Sequence, residues 1–348
     1  MRVLQSFPEG RATTNPYLLQ LSRSISPHVE VLGFTWRRAL TARYDVFHVH
    51  WPEILLQGRT PARALARRML VRLFLARLRW RRTAVVRTVH NVRSHESSPR
   101  HDQRLLRRFD ERTTVWIRLN AFTPVPPGAL ACTIPHGDYR DWYSAQTPGT
   151  PIPGRLLYFG LIRAYKGVDV LVDSFRQLNK SDPEPNTQHA VREATVTTAA
   201  TLRIVGSPQS PELARRLRVA AADDPRIALM LRHASDTELV DAIGAAQLIV
   251  LPYAEMHNSG AALLALSLNR PVLVPRNAVT TALAEEIGAD WVFTYDGPLS
   301  PQVLVDTIAQ TRRPRSTLTP DLSNRRWAAG AADHIEAYDC AVRSLRSD

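Results

Sequence analysis

The chain alternates strand-length apolar runs with helical stretches, does so twice, and breaks once between, at Thr147-Pro148-Gly149-Thr150-Pro151-Ile152-Pro153-Gly154. Parallel neighbours in a sheet need a long crossover, usually a helix, so this rhythm predicts two parallel sheets of the α/β class. Before the break the apolar runs are 2–5, 29–34, 45–50 and 84–90; after it they are 156–159, 202–205, 227–231, 248–251 and 272–274. Helices are predicted over 168–178, 211–222 and 236–246. Asn15-Pro16 reads as the cap and first turn of a helix that carries Leu18, Leu19, Leu21 and Ile25 and stops before Pro27. The expected organisation is a Rossmann-like domain over 1–147, a linker at 148–154, a second Rossmann-like domain over 155–324 and a last helix over 325–348, with the two doubly wound sheets facing a cleft. Residues 180–200, polar and rich in Thr and Ala, read as a surface insertion, and 313–324 as a loop.

Composition removes several classes. Of 348 residues 44% are hydrophobic, enough for two buried cores, but no apolar run reaches the roughly 20 residues of a membrane-spanning helix. Residues 1–10 do not resemble a secretory signal, and Cys132 and Cys340 have neither metal-ligand nor redox spacing. The expectation is a cytoplasmic chain without a disulfide framework or zinc module. Formal net charge is +13, carried by arginine, since Lys166 and Lys180 are the lysines of the sequence. Nine arginines from Arg59 to Arg82 fall in a segment that contains no acid, with Leu65, Met69, Leu73 and Phe74 at helical spacing among them. Such a segment suits an anionic membrane surface, or is a packing helix whose outer face follows a general preference for arginine. No nucleic-acid-binding module accompanies it, so no nucleic-acid partner is expected.

The segment from Tyr158 to Gly167 runs a strand into Gly160, a short loop bearing Arg163 and Lys166, and a second glycine, Gly167, that opens a helix. Two cations beside helix N-terminal amides make a phosphate cradle, and the scarcity of lysine sets Lys166 apart from a solvated surface loop. Further on, Glu255-Met256-His257-Asn258-Ser259-Gly260 opens another helix, and Asn269-Arg270-Pro271-Val272 leads into the next strand. In the first half two predicted strands end in polar groups, His50-Trp51-Pro52-Glu53 and His90-Asn91 with His95-Glu96, and His136-Gly137-Asp138 is a third such group. Ligands of doubly wound sheets sit beyond the carboxyl ends of the strands, so these ends are read as rimming one acceptor site. No His or Cys spacing supports a metal there.

The glycine–lysine loop resembles the donor-diphosphate loop of GT-B glycosyltransferases, particularly the family-four group with Gly-Arg-Leu-x-x-x-Lys-Gly. Lys166 and Gly167 match; the arginine position holds Leu161, and Arg163, two residues on, is positioned to substitute. The later turn resembles that group's donor-binding turn and helix, although the two family glutamates are replaced by Met256 and Leu264, with Glu255 one residue off. The His-Trp-Pro-Glu, His-Asn and His-Glu pattern is similar to a narrower group, the bacterial GDP-mannose:glycolipid β-1,4-mannosyltransferases of xanthan-type polysaccharide assembly.

The resemblance implies GT-B architecture and transfer of a sugar, mannose from GDP-mannose, onto a lipid-linked or membrane-associated saccharide. Donor binding would fall to Gly160, Arg163, Lys166, Gly167, Glu255, Asn258, Ser259 and Gly260; acceptor binding to Trp51, His90, Asn91 and His95. If the reaction inverts, a base must take the acceptor proton, with Glu53 first choice, then His136, Glu96 and His50. If it retains, these residues position the acceptor. Beyond the nucleotide-sugar substrate no cofactor and no metal are expected, and the protein is placed in the cytoplasm or peripherally on the inner face of the plasma membrane. The alternatives are a UDP-sugar-dependent transferase and a catalytically silent GT-B scaffold.

Overall fold

The computed structural model describes residues 1–10, 15–90, 100–179, 200–253 and 255–347. The chain divides into two compact units: Met1–Gly137 with Asn324–Asp348, and Asp138–Ser323. Each is built on one parallel six-stranded sheet.

In the first unit the order of elements is β1 (Arg2–Gln5), α1 (Pro16–Ile25), β2 (Glu30–Leu32), α2 (Trp36–Thr41), β3 (Val46–Val49), a 3-10 turn (Pro52–Leu55), α3 (Pro61–Trp80), β4 (Ala84–Val89), α4 (Arg100–Arg112), β5 (Val115–Arg118), β6 (Ala131–Thr133) and the last helix of the chain, α11 (Trp327–Ser347). Asn15 caps α1 as its sequence suggests, accepting from the amide of Tyr17 at 3.0 Å, with Pro16 in the first turn. Spatial order in the sheet is β2-β1-β3-β4-β5-β6. Both faces are buried, which is why its strands read as continuous apolar runs and not as alternating ones. Val3, Val46, Val86 and Ile117 pack under α1 and α11, while Leu4, Phe47, Val49 and Val85 pack against Phe74 of α3 and Phe109 of α4. The short strands β5 and β6 were not evident from the sequence.

The second unit runs β7 (Arg155–Phe159), α5 (Val168–Arg176), β8 (Thr201–Val205), α6 (Pro211–Ala221), β9 (Ile227–Met230), α7 (Asp236–Gly244), β10 (Leu248–Val250), α8 (Gly260–Ser267), β11 (Val272–Pro275), α9 (Ala278–Ile287), β12 (Val292–Tyr295) and α10 (Pro301–Thr311). Its spatial order is β12-β11-β10-β7-β8-β9. Renumbered within the unit this is the 3-2-1-4-5-6 order of dinucleotide-binding folds, whereas the first sheet follows the 2-1-3-4-5 order of flavodoxin-like folds. The two sheets therefore reverse direction at different places, between β1 and β3 in one and between β7 and β10 in the other.

Three sequence expectations are corrected. Residues 148–154 do not separate the units, because that segment is fastened into the second: the buried Arg270 guanidinium donates to the carbonyls of Gly149 at 2.6 Å and Gly244 at 2.7 Å. Proline and glycine there prevent regular structure without preventing packing. The last helix is not a separate appendage either; Trp327, Ala331, Tyr338 and Ala341 join the core of the first unit. Phe74, read as part of one apolar face with Leu65, Met69 and Leu73, lies on the opposite side of α3 from them: it is fully buried and they are exposed.

Candidate active site

At the reversal point of the first sheet the ends of β1 and β3 meet through Gln5 and His50, whose Oε1 and Nε2 are 3.3 Å apart. If Gln5 Oε1 accepts from Nε2–H, His50 Nδ1 carries the lone pair and accepts in turn from His90 Nε2–H at 3.1 Å. His90, at the end of β4, is left as the tautomer with its Nδ1 lone pair, and its ring stacks on Trp51 at 4.2 Å and 22°. Beneath them His48 lies 2.8 Å from both Thr88 Oγ1 and the Tyr338 hydroxyl of α11. His136, beyond β6, donates Nδ1–H to the Gly137 carbonyl at 2.7 Å. The ring of Tyr17 is the hub: it meets His90 at 5.1 Å, His136 at 4.6 Å and Trp327 at 5.3 Å. Gly137 has to be glycine, since a Cβ there would sit 2.3 Å from the Trp327 ring.

Burial governs the charge of this group. It pushes His48 and His50 well below the usual histidine value, with neighbouring histidines adding to the effect. His90 is pushed down to about 3 by burial and then by His136 and His334. His136 falls to about 4, burial outweighing the favourable Gly137 carbonyl, and His334 of α11 likewise to about 4. All five are neutral at physiological pH and offer or accept hydrogen bonds without carrying charge. Glu53 is different. It stands half-buried in the 3-10 turn after β3; burial lowers the nearby Arg87 guanidinium from its usual value, the charge of Glu53 works against that shift, and Arg87 also pairs with Asp110. Asn91, His95 and Glu96 lie outside the described residues, as do residues 180–199 of the expected insertion.

The second sheet repeats the arrangement with other chemistry. At its reversal point β7 leads into Gly160 and the Arg163–Gly167 loop, and β10 leads into Pro252-Tyr253. Gly167, the N-cap of α5, has φ 63°, and a Cβ on it would stand 2.4 Å from the Pro252 carbonyl oxygen, so the two strand ends touch backbone to backbone. Gly206 meets the Gly160 carbonyl in the same manner, a Cβ there falling 1.8 Å from its oxygen. Lys166 Nζ donates to the Tyr253 hydroxyl at 3.4 Å and lies 4.6 Å from the centre of its ring. Burial, and then the charge of Arg163, push Lys166 down to about 8. The Tyr253 phenol is hydrogen-bonded to Tyr158 and to Ser259, the N-cap of α8 that also accepts from the Ala262 amide at 3.1 Å. The loop cation is thus linked through one tyrosine to a second helix N-terminus. Asn258 and Gly260 flank Ser259 and are half-buried, and Glu255 is exposed. Met256 and Leu264, which stand where the family-four group has glutamates, are buried in the unit's core. Among the described residues no cluster of His, Cys, Asp or Glu has the makings of a metal site.

No family model matches the chain. A GDP-mannose:glycolipid 4-beta-D-mannosyltransferase of Xanthomonas campestris pv. campestris is 42% identical over 336 residues, covering 97% of this chain and 91% of that protein. The chain belongs to this family of glycosyltransferases. Identity of that extent includes both units, not only the phosphate loop. In fold the chain resembles AviGT4, a glycosyltransferase involved in avilamycin A biosynthesis, with TM-score 0.59, 13% identity and coverage of 100% of this chain and 98% of that one. It also resembles Anabaena HepE in complex with UDP, with TM-score 0.58, 14% identity and complete coverage of both chains. These likenesses establish the GT-B fold.

Several residues of this family member were not singled out by sequence. Tyr253 looked like an ordinary aromatic after a strand, Tyr17 like a core residue of α1, and Gln5 and His48 like strand interior. The spacing of His334 and Tyr338, four apart on one helix face, was the available sign that α11 contributes to the first unit's polar cluster.

Proposed function

We propose that the protein transfers mannose from GDP-mannose to a hydroxyl of a lipid-linked saccharide, acting peripherally at the inner face of the plasma membrane. The observation that carries this reading is Lys166, held between two helix N-termini in a chain 42% identical throughout to a GDP-mannose:glycolipid 4-beta-D-mannosyltransferase. GDP-mannose holds its sugar in the α configuration, so a β product requires inversion at C1 in one displacement, and therefore a base. Glu53 takes the proton of the attacking hydroxyl; as the oxygen bonds to C1, the bond from C1 to the diphosphate breaks and GDP leaves. Lys166, Arg163 and the amides opening α5 and α8 meet the negative charge that develops on the leaving diphosphate. Asn258, Ser259 and Gly260 hold the donor's sugar and phosphates, with Glu255 beside them.

On the acceptor side, Trp51 offers a ring on which a saccharide stacks, and His90 and His136 line the same site. His50 orients His90 and is a positioning residue, because burial disfavours the charged form it would take as a base. The segment 59–82 faces the membrane that presents the acceptor.

Thermal stabilisation by GDP, UDP and ADP tests the donor assignment. GDP at ~100 times its dissociation constant adds about 2.7 kcal/mol, and the Lys166→Ala variant loses the shift. A shift with UDP alone would remove GDP-mannose from the reading. No shift with any nucleotide, from folded protein, would leave the silent scaffold.

A further inference from the structure

We infer that Tyr253 is a positioning residue for the transfer: its hydroxyl holds the Lys166 ammonium in line with the N-terminus of α8, so that both meet one diphosphate. This rests on the donor reading above.

A chain of hydrogen bonds fixes which way the hydroxyl points. Tyr158 of β7 donates its own O–H to the Leu161 carbonyl at 2.9 Å, so toward Tyr253 its oxygen accepts. The Tyr253 proton is used in that bond. Its oxygen is left with lone pairs for Lys166 Nζ, 3.4 Å away, and for the hydroxyl of Ser259, whose own oxygen accepts from the Ala262 amide at 3.1 Å. One phenol oxygen therefore accepts from the glycine–lysine loop and from the N-cap of α8 together. The backbone supports the same alignment, since Gly167 and Pro252, the chain neighbours of Lys166 and Tyr253, meet face to face.

A phenol suits this task better than a carboxylate would. Burial pushes Tyr158 and Tyr253 up, so both are neutral through the range in which Lys166 titrates. A neutral acceptor aims the cation without cancelling its charge. The ammonium has three protons and the phenol takes one, by a bond long for N–H···O, so two remain for phosphate oxygens. Arg163 of the same loop disfavours the ammonium, and the Tyr253 oxygen opposes that effect. Arg163 and Tyr165 of the loop, Tyr158 and Tyr253 are the ionisable groups around this pair. The Tyr253 ring also lies 4.6 Å from Nζ, an attraction that phenylalanine would keep, so Tyr253→Phe removes the hydroxyl alone.

The test uses the scarcity of lysine. Lys166 and Lys180 are the lysines of the chain, so protein isotope-labelled at lysine gives two resonances, and Lys166→Gln removes one to assign it. Wild type titrates there at about 8. In Tyr253→Phe, without nucleotide, the value falls to about 7, because a buried ammonium has lost an acceptor. The pH at which GDP stabilisation is half lost moves down with it, and at pH 8 GDP binds about fivefold more weakly. Tyr253→Phe lowers kcat/KM about tenfold in wild type and less than twofold in the Lys166→Ala background. A hydroxyl that merely supports the fold gives another pattern: Tm falls, the lysine still titrates at about 8, and the loss is equal in both backgrounds. An unmoved titration or equal losses would overturn the inference. Should Tyr253→Phe not fold, Tyr158→Phe releases the Tyr253 proton from its partner and must also lower the Lys166 titration; an unmoved value there overturns the inference equally. Stabilisation of wild type by GDP reports the donor reading separately. A titration that moves in a protein that no nucleotide stabilises sinks that reading and keeps the hold of Tyr253 on Lys166.

Discussion

The two units share a plan and differ in what they place on it. Each is a parallel six-stranded sheet whose winding reverses once, and at each reversal the side chain past one strand end reaches the neighbouring strand's: Gln5 with His50 in the first unit, Lys166 with Tyr253 in the second. The first unit fills that position with five histidines kept neutral by burial. The second fills it with one lysine whose proton is easily lost, two helix N-termini and glycines that let backbones touch. Neutral donors and acceptors suit the hydroxyls of an uncharged saccharide, and cations suit a diphosphate. One architecture accommodates both, because the reversal point supplies geometry and the residues supply the charge.

If that division of labour holds, the largest effect comes from Glu53→Gln, which removes the proposed base. It should lower kcat about a thousandfold while the GDP shift stays intact, and a variant with near-normal kcat would assign the base elsewhere. Lys166→Ala should lower kcat/KM about a hundredfold through lost stabilisation of the leaving diphosphate. Its pH dependence is specific. With a free-enzyme value of about 8, Lys166 is charged below pH 8 and neutral above it, so donor affinity is full below pH 8 and falls as pH rises through it. Lys166→Arg should keep its affinity at pH 9. Stability runs the other way: an unfolded lysine ionises near 10.5, so the unliganded fold gains stability as pH rises from about 8 toward 10.5, and removing Lys166 does not destabilise it.

Acid separates the units next. The histidines of the first are depressed below the unfolded value of 6.5, so their stabilisation is complete above that pH and is lost as pH falls from about 6.5 toward 4. Each costs about 1 kcal/mol at pH 6. Hydrogen exchange should therefore accelerate in Met1–Gly137 before Asp138–Ser323, and a uniform response would show that the histidines do not set the first unit's stability. Two glycines give the smallest contrast. Gly167→Ala should cost about 2 kcal/mol or more, because φ 63° and the Pro252 carbonyl both oppose a Cβ. Gly128→Ala in the first unit, with φ 75° but nothing within 4 Å, should cost about 1 kcal/mol; equal changes in Tm would mean that close approach at Pro252 does not matter.

Lys166 was legible because lysine is scarce and glycines bracket its loop. Tyr253 was not, since an aromatic beside an apolar strand is ordinary core until the fold turns its hydroxyl toward a cation. His50 and His90 could be read at strand ends, but the reason that they are neutral could not: it depends on Tyr17, His48 and on His334 of a helix more than two hundred residues away in sequence. The last strand, β12, escaped notice beside β5 and β6, being four residues with mixed burial. The proline-rich segment was misplaced as a linker because composition reports a lack of regular structure and says nothing of the Arg270 bonds that hold it.

What the sequence determined by itself is local: the strand and helix alternation, the caps of its helices, the glycine–lysine loop and the absence of acids along α3. Those features act through backbone propensity and nearest neighbours, and any window of the chain displays them. Tertiary structure decided strand order, and with it which strand ends become partners, which side of α3 meets the core, and which unit takes the last helix. These follow from apolar burial summed over contacts distant in sequence, a quantity no short window contains, and the neutral histidines and the weakly basic lysine follow from that burial.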